Sequence, residues 1–335
     1  MKQILIVRLS SIGDIILTTP LVRAVRKAYP DATIRFVIKK QFADLMRNNP
    51  NINELIVYDK EIGINQTIAS INEKPIDWMI DIHRNIRSQL LRWKINPKHY
   101  STYSKLIIPR SLLIHTKINS YSKPIKPVFL RYFDAVKKFN VAYDDLGTEI
   151  YSTSADEVST IEKAANAGLY SFDDMVAICP AASFKNKQWP TSYFIETATY
   201  LLSKNRNLVL LGGPKDVDLC NEIKHALDDK ATTLAGKLSL LESAIILKNS
   251  KFAICNDSGM MHLAQSQKTP VIAIFGPTVE ELGYFPLKTN AYVLENNTNC
   301  RPCTHNGLNY CPKKHFKCMI NSSPSQMIDV IQKLV

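Results

Sequence analysis

The sequence predicts an α/β protein built from two doubly wound parallel-sheet domains. The chain has 335 residues, which is more than one hydrophobic core normally serves. Short apolar runs alternate with segments whose apolar residues recur at helical spacing, the pattern of a parallel sheet covered by helices. The alternation begins near the N-terminus and restarts near residue 176. Two separate sheets are therefore expected.

The first half opens with a continuous apolar run, which suits a strand buried on both faces. Apolar residues then recur at helical spacing as far as Pro30. A basic segment interrupted by four prolines follows later and is predicted to be less regular. The predicted elements are strands at 4–7, 33–38, 55–58 and 78–82, and helices at 15–28, 42–47, 62–71 and 128–139.

The second half repeats the alternation. A linker is predicted near residues 150–172, where small polar residues and Gly168 interrupt the pattern. We therefore expect an N-terminal domain of residues 1–160 and a C-terminal domain of residues 161–335. The predicted elements are strands at 176–179, 208–211, 252–255 and 271–275, and helices at 193–202, 217–227, 240–247 and from 260 onward.

The composition indicates a cytoplasmic protein. No apolar run approaches the roughly 20 residues that span a bilayer. The N-terminal apolar run ends at Arg8, too early for the apolar region of a signal peptide.

The charge is concentrated in the first half. The net charge is +12, and residues 1–150 carry 24 Lys and Arg against 13 Asp and Glu, whereas residues 151–335 carry 18 against 17. Residues 82–133 contain eleven basic residues and no acidic one. A field of one sign attracts nucleic acid, an anionic membrane surface or a phosphorylated ligand, although a solvated basic face is the alternative.

Ligands of doubly wound sheets bind beyond the carboxyl ends of the strands, so the loops there are the candidate sites. The first loop contains Ser10, Ser11, Gly13 and Asp14, and it opens a helix. Its pattern matches neither a dinucleotide-binding fingerprint nor a P-loop. Asp14 has two interpretations, a helix cap or a general base that depends on geometry because its position lowers its pKa.

Two loops of the second half suit an anionic ligand. In the loop after residue 179, Lys187 could neutralise a phosphate and Ser183 could donate a hydrogen bond, unless Lys187 is simply a surface lysine beside Trp189. In the loop after residue 255, the amides of a helix N-terminus could hold a diphosphate. The alternatives there are a capping role for the aspartate and a core role for the histidine. The residues concerned are Asp257, Ser258, Gly259, Met260, Met261 and His262.

Four cysteines close to the C-terminus leave two interpretations open. Cys300, Cys303, Cys311 and Cys318 lie within a 300–318 segment that also contains His305 and His315. Such clustering in a reducing compartment suits structural zinc, but the second pair lacks the usual C-x-x-C spacing. We favour free thiols packed in a loop over a zinc site.

These loops together resemble glycosyltransferase family nine, the ADP-heptose:lipopolysaccharide heptosyltransferases. The resemblance is carried by R-L-S-S-I-G-D, I-I-L-T-T-P-L-V-R-A-V-R, K-Q-W-P, N-D-S-G-M-M-H-L-A and I-A-I-F-G-P-T, in order between residues 4 and 278. The cysteine-rich segment resembles that of some second-type heptosyltransferases, where it does not indicate a catalytic metal.

The resemblance implies a GT-B fold, in which two Rossmann-like domains face a central cleft. The acceptor would bind the N-terminal domain and the nucleotide sugar the C-terminal domain. Asp14 corresponds to the proposed catalytic base of the family. Lys187 and Ser183 correspond to residues that contact the donor phosphates, and residues 257–262 to the segment that cradles the ADP-sugar. No cofactor is required by this family.

The function implied is inverting transfer of heptose from ADP-heptose to the Kdo- and heptose-containing inner core of lipid A. The phosphorylated acceptor would explain the basic segment, and we expect Arg84, Arg87, Arg110 and Lys117 to bind it. We further expect a monomer that acts peripherally at the cytoplasmic face of the inner membrane and binds no nucleic acid. The alternatives are a family member that uses another nucleotide sugar and a basic nucleic-acid-binding protein with a zinc module.

Overall fold

The computed structural model describes residues 2–334 and divides into two compact units. Within those residues, the first unit comprises 2–106 and 126–151, and the second comprises 107–125 and 152–334. No helix in the described chain is both long enough and apolar enough to cross a membrane. Each unit contains its own parallel sheet.

The strands are β1 (Gln3–Val7), β2 (Thr33–Lys39), β3 (Glu54–Tyr58), β4 (Trp78–Asp81), β5 (His99–Thr102), β6 (Val176–Cys179), β7 (Leu208–Leu210), β8 (Thr232–Thr233), β9 (Phe252–Asn256), β10 (Val271–Phe275) and β11 (Ala291–Glu295). The α-helices are α1 (Ile12–Ile16), α2 (Thr19–Ala28), α3 (Ile64–Asn72), α4 (Ile86–Ile95), α5 (Ile107–Thr116), α6 (Val128–Tyr132), α7 (Ser154–Asn166), α8 (Thr191–Ser203), α9 (Val217–Ala226), α10 (Leu240–Lys248), α11 (Gly259–Ser266), α12 (Lys317–Ile320) and α13 (Pro324–Leu334).

The sheet of the first unit has the strand order β3-β2-β1-β4-β5, and all of its strands are parallel. The apolar side chains of β1 are buried on both faces of the sheet, as their continuous run predicts. The strand order reverses between β1 and β4, which pair from Ile4 with Trp78 to Val7 with Asp81. The loops that follow these two strands therefore lie side by side at the topological switch point, where such sheets bind ligands.

The sheet of the second unit has the order β11-β10-β9-β6-β7-β8, again with parallel strands. Its switch point lies between β6 and β9, which pair from Val176 with Phe252 to Cys179 with Cys255. The hydrophobic core on one face gathers strand residues such as Ile178 and Ile254 with Phe194 of α8 and Met319 of α12. The C-terminal helices thus complete the core that supports this sheet.

The structure confirms two doubly wound parallel sheets and corrects several predicted elements. Residues 42–47 lie mostly in a 3-10 helix over Lys40–Leu45, and the predicted helix at 128–139 is short α6 followed by two 3-10 turns. The basic segment, predicted to be irregular, contains α4, β5 and α5. Most of the predicted linker is helix α7, which Thr153 starts by accepting a hydrogen bond from the amide of Asp156.

The division into units differs from the predicted domains in two places. The chain passes to the second unit at residue 152, and residues 107–125 also group with that unit. These residues carry three basic residues and no acidic one. The first unit consequently has 21 basic and 13 acidic residues, and the second has 21 and 17. The net charges are +8 and +4, a smaller contrast than the halves of the sequence suggest.

Candidate active site

The candidate base Asp14 lies in the first turn of α1, directly after the loop that follows β1. Ser11 is the N-cap, and its backbone N–H and hydroxyl donate to Oδ2 of Asp14 over 3.3 and 2.9 Å. The Tyr132 hydroxyl donates to Oδ1 over 3.1 Å, and the Arg8 guanidinium pairs with the same oxygen at 2.6 Å. Asp14 thus supports the helix start and is also fixed in orientation by two side chains from elsewhere in the unit.

The pKa of Asp14 is set by opposing effects. Burial of the carboxyl raises the pKa, but the positive charge of Arg8 and the hydrogen bonds from Ser11 outweigh it and lower the pKa to about 2. The carboxylate is consequently ionised at every physiological pH. Only 14% of its side chain is exposed, so the charge is concentrated in a largely dehydrated position.

The loop after β4 places His83 within reach of the charge of this carboxylate. Asp81, fully buried at the end of β4, accepts hydrogen bonds from the backbone amides of His83 and Arg84 over 2.9 and 2.7 Å. Burial and the nearby charges of Arg8 and Lys105 lower the pKa of His83 to about 3, so its ring is neutral. Arg8 also donates to the backbone carbonyl of Ile82, which ties the two loops of the switch point together.

The sequence prediction missed Arg8, His83 and Tyr132 as parts of this site. Arg8 is the first residue of the predicted loop, and an arginine at the end of a buried strand signals a paired cation. Tyr132 comes from α6, which is 118 residues away from Asp14 in the chain, and no local pattern connects the two. Gly13 lies within α1 and has no positive φ angle, so it does not form a turn.

The predicted donor-binding loops meet at the switch point of the second unit. The Lys187 ammonium pairs with Oδ2 of Asp257 at 2.7 Å, and their side chains are 13% and 7% exposed. The Thr278 hydroxyl donates to the same oxygen over 2.6 Å. Asp257 is not the N-cap of α11, because Ser258 holds that position. The Lys187 ammonium, the Asp257 carboxylate and the Thr278 hydroxyl thus lie together beyond the carboxyl ends of β6, β9 and β10.

Asn256, at the end of β9, holds the loop after β6 in place. Its side-chain oxygen accepts from the backbone amide of Trp189 over 3.0 Å, and its amide donates to the carbonyl of Pro180 over 2.7 Å. The indole N–H of Trp189 donates to the Ser322 carbonyl over 2.7 Å, and the ring is buried. Trp189 thereby fixes the segment that positions Lys187.

Helix α11 begins two residues after Asp257, so its N-terminal amides are close to this pair in the chain. The first N–H groups of any α-helix lack a partner in the helix and attract anions. Ser258 has a buried hydroxyl that lacks a hydrogen-bond partner among the described residues. Of the other predicted donor residues, Ser183 is exposed, whereas Met261 and His262 are buried, so Met261 can offer a ligand only its backbone.

The four predicted acceptor residues fall into two groups. Arg84 and Arg87 are exposed in the first unit, where the Arg84 guanidinium donates to the Tyr103 carbonyl over 2.9 Å. Arg110 and Lys117 belong instead to the second unit. The four residues therefore do not all lie in one unit, because residues 107–125, which include α5, belong to the second unit.

Arg110 and Lys117 contact the cysteine-rich segment. Arg110 lies 3.2 Å from the ring nitrogen of His305, and Lys117 donates to the carbonyl of Pro302 over 2.7 Å. The segment also contacts the donor-binding loops, since Asn186 and Leu308 exchange hydrogen bonds of 3.0 and 2.8 Å. Its structural role is to join α5 to the loop that carries Lys187.

The four cysteines of this segment are free thiols in the structure. Within residues 2–334, no group of three or more His, Cys, Asp or Glu side chains is arranged to hold a metal ion. Burial raises the pKa of Cys303 and of Cys318 to about 11, so both remain protonated.

Comparison with known proteins identifies relatives along most of the chain. The family model of glycosyltransferase family 9 (heptosyltransferase) matches residues 65–313. The lipopolysaccharide heptosyltransferase 2 of Salmonella typhimurium is 27% identical over 293 residues, which cover 82% of this chain and 83% of that protein.

Solved structures share the architecture. A glycosyltransferase family 9 protein from Veillonella parvula has a TM-score of 0.81 at 27% identity, covering 99% of this chain and 97% of that one. The Escherichia coli ADP-heptose lipopolysaccharide heptosyltransferase II has a TM-score of 0.78 at 23% identity, covering 100% and 98%. These similarities and the two doubly wound sheets confirm the predicted GT-B fold.

Proposed function

Because the chain belongs to glycosyltransferase family 9, we propose that it is an inverting enzyme that transfers heptose from ADP-heptose to the Kdo- and heptose-containing inner core of lipid A. The observation that carries the proposal is the largely buried pair of Lys187 and Asp257 next to the N-terminus of α11. A nucleoside diphosphate sugar needs such a site, with cationic groups for the phosphates and a carboxylate for sugar hydroxyls.

The second unit would stabilise the leaving group. As the bond between the anomeric carbon and the diphosphate oxygen breaks, negative charge grows on ADP. In this proposal Lys187 and the amides of residues 258–261 stabilise that charge, and the ion pair with Asp257 holds the ammonium in place before the reaction starts. Ser258 has an unpartnered buried hydroxyl that can donate to a phosphate oxygen.

The first unit would activate the acceptor. Asp14 takes the proton of an acceptor sugar hydroxyl while the oxygen attacks the anomeric carbon opposite to ADP, so the configuration inverts. The low pKa of Asp14 keeps it ionised but makes it a weak base. Its contribution therefore depends on orientation, which Ser11 and Tyr132 provide, and on limited contact with water.

The acceptor side is proposed to be the first unit. Arg84 lies in the loop after β4, Arg87 lies in the first turn of α4, and Lys105 donates to the Arg84 carbonyl over 2.8 Å. Their charge suits the phosphates of a lipid A-type acceptor. We include in the proposal that the enzyme works as a monomer, peripherally at the cytoplasmic face of the inner membrane, without a required cofactor.

Calorimetric titration with ADP, UDP and GDP tests the donor assignment. We expect binding of ADP to be tighter than that of the other two nucleotides. Asp14→Asn should bind ADP like the unaltered protein yet fail to transfer heptose, because the substitution removes the base but leaves the second unit intact. Tight UDP binding without ADP binding would refute the donor, and unaltered turnover of Asp14→Asn would leave Asp14 with only its helix-capping role.

A further inference from the structure

Helix α4 of the first unit carries an exposed apolar surface that the site described above does not use. Among the described residues, the two most exposed large apolar side chains of this unit are Ile86 at 89% and Trp93 at 72%. Both lie on α4, seven positions apart, which is close to two helical turns. They therefore project from the same side of the helix, one near each end.

The opposite side of α4 faces the interior of the unit. Leu91 is buried in the core beneath β1 and β4, and Ile95 packs against the same cluster. Successive residues of a helix are rotated by about 100°, which places Ile86 and Trp93 directly away from Leu91 and Ile95. The helix is thus apolar on two sides, and only one of them is covered by its own unit.

Basic residues flank the exposed apolar side. Arg87 and Lys94 lie along one border and Arg92 along the other, and all three are exposed. Lys94 lies over the Trp93 ring at 4.4 Å, and Arg92 stacks on Tyr100 at 3.9 Å. No acidic residue occurs anywhere in residues 82–133. Exposed apolar side chains bordered by cations, with tryptophan among them, are typical of helices that lie in a membrane interface.

The helix begins beside the candidate base. Its N-cap Asn85 closes the loop after β4, where the carbonyl of Ile82 accepts from Arg8, the partner of Asp14. A surface that rests on a bilayer at this point would bring the sugars of a lipid-anchored acceptor to the carboxylate.

We propose that the exposed side of α4, formed by Ile86 and Trp93 and bordered by Arg87, Arg92 and Lys94, docks the protein on an anionic phospholipid bilayer. The choice of a bilayer as the partner rests on the proposed function, in which the acceptor is lipid-anchored. The apolar side chains would enter the interface while the cations contact lipid phosphates.

Tryptophan fluorescence provides a direct measurement. The chain has three tryptophans, and Trp78 and Trp189 are buried, so Trp93 reports on the surface. We expect vesicles of phosphatidylethanolamine and phosphatidylglycerol to shift the emission to shorter wavelength, and vesicles of phosphatidylcholine alone to have little effect. Salt should weaken the response, because it screens the attraction between the cations and the lipids.

Co-sedimentation with the same vesicles separates the two parts of the surface. The double variant Ile86→Ser and Trp93→Ser should lose binding by at least an order of magnitude. The double variant Arg92→Gln and Lys94→Gln should lose roughly 25-fold, about five-fold for each cation. A matched control, Ile62→Ser with Leu146→Ser, removes two exposed apolar residues of the same unit outside α4 and should bind normally.

A deacylated, water-soluble acceptor distinguishes this inference from the proposed function. The Ile86→Ser and Trp93→Ser variant should turn over that acceptor at the normal rate and be slow only on vesicle-embedded acceptor. Equal vesicle binding by this variant and the control would overturn the inference, as would loss of turnover on the soluble acceptor, which would make the surface an acceptor subsite. Normal vesicle behaviour without any heptose transfer would instead reject the proposed function.

Discussion

Replacing Arg8 with glutamine should change the pH range in which the enzyme works. Arg8 pairs with Asp14 at 2.6 Å and holds the pKa of the carboxyl at about 2, against its ordinary value of 3.8. The difference corresponds to about 2 kcal/mol favouring the ionised form. Without the cation, burial remains the largest effect, and the hydrogen bonds from Ser11 and Tyr132 oppose it. The pKa of Asp14 should therefore rise.

The sign of the effect follows from the direction of this shift. Because the folded-state pKa of Asp14 is depressed, its ionisation stabilises the protein above pH 3.8, and that contribution disappears as the pH falls toward 2. In Arg8→Gln, turnover should decline at a higher pH than in the unaltered enzyme, since the protonated carboxyl cannot act as a base. The variant should also lose less of its remaining stability on acidification.

The assay is the pH dependence of kcat/KM on a soluble acceptor, normalised so that only the shape of the profile is compared. Arg47→Gln is the matched control, because Arg47 is an exposed arginine of the same unit that pairs with Asp44. It should leave the profile unchanged. Coinciding acid limbs for Arg8→Gln and the unaltered enzyme would show that Asp14 is not the base whose ionisation limits turnover.

Three further outcomes are expected. Lys187→Ala should weaken ADP binding roughly ten- to hundred-fold in calorimetry, because one charge-assisted hydrogen bond is lost. Lys185→Ala, which alters an exposed neighbouring lysine, should change ADP binding little. Equal effects of the two substitutions would contradict the donor site. Gly307→Ala should lower the free energy of unfolding by about 1–3 kcal/mol more than Gly168→Ala does. Both glycines have a positive φ angle, but only at Gly307 would the added carbon lie 2.8 Å from Phe184. Equal denaturant midpoints for the two variants would argue against that packing. A chelator should leave turnover and the melting temperature unchanged, and a fall in either that zinc restores would favour the zinc interpretation of the cysteines.

The fold could be predicted because the signals that define it are local. Buried strands such as β1 and β10 appear in the sequence as continuous apolar runs, and their predicted bounds agree with the structure to within a residue. Helix α7 was missed although Thr153 and Asp156 form a capping pair, because small polar residues before it suggested a linker. Helix α4 was missed because the four prolines of the basic segment predicted irregular structure, although all of them follow the helix.

The candidate site could be predicted only in part. Lys187 and Asp257 were identified from loops at strand ends, but their pairing depends on the adjacency of β6 and β9, which the sequence order does not show. The contact of Tyr132 with Asp14 likewise requires the tertiary fold. Charge was the least reliable guide, since Arg131 is buried and donates to the Lys126 carbonyl instead of facing a ligand.

Mass spectrometry of the acceptor after incubation with ADP-heptose tests the central claim most directly. The account predicts that a Kdo-containing lipid A acceptor gains the mass of one heptose, that ADP is released in equal amount, and that Asp14→Asn gives neither product. An unchanged acceptor in the presence of ADP-heptose, together with transfer from a UDP- or GDP-linked sugar, would contradict it.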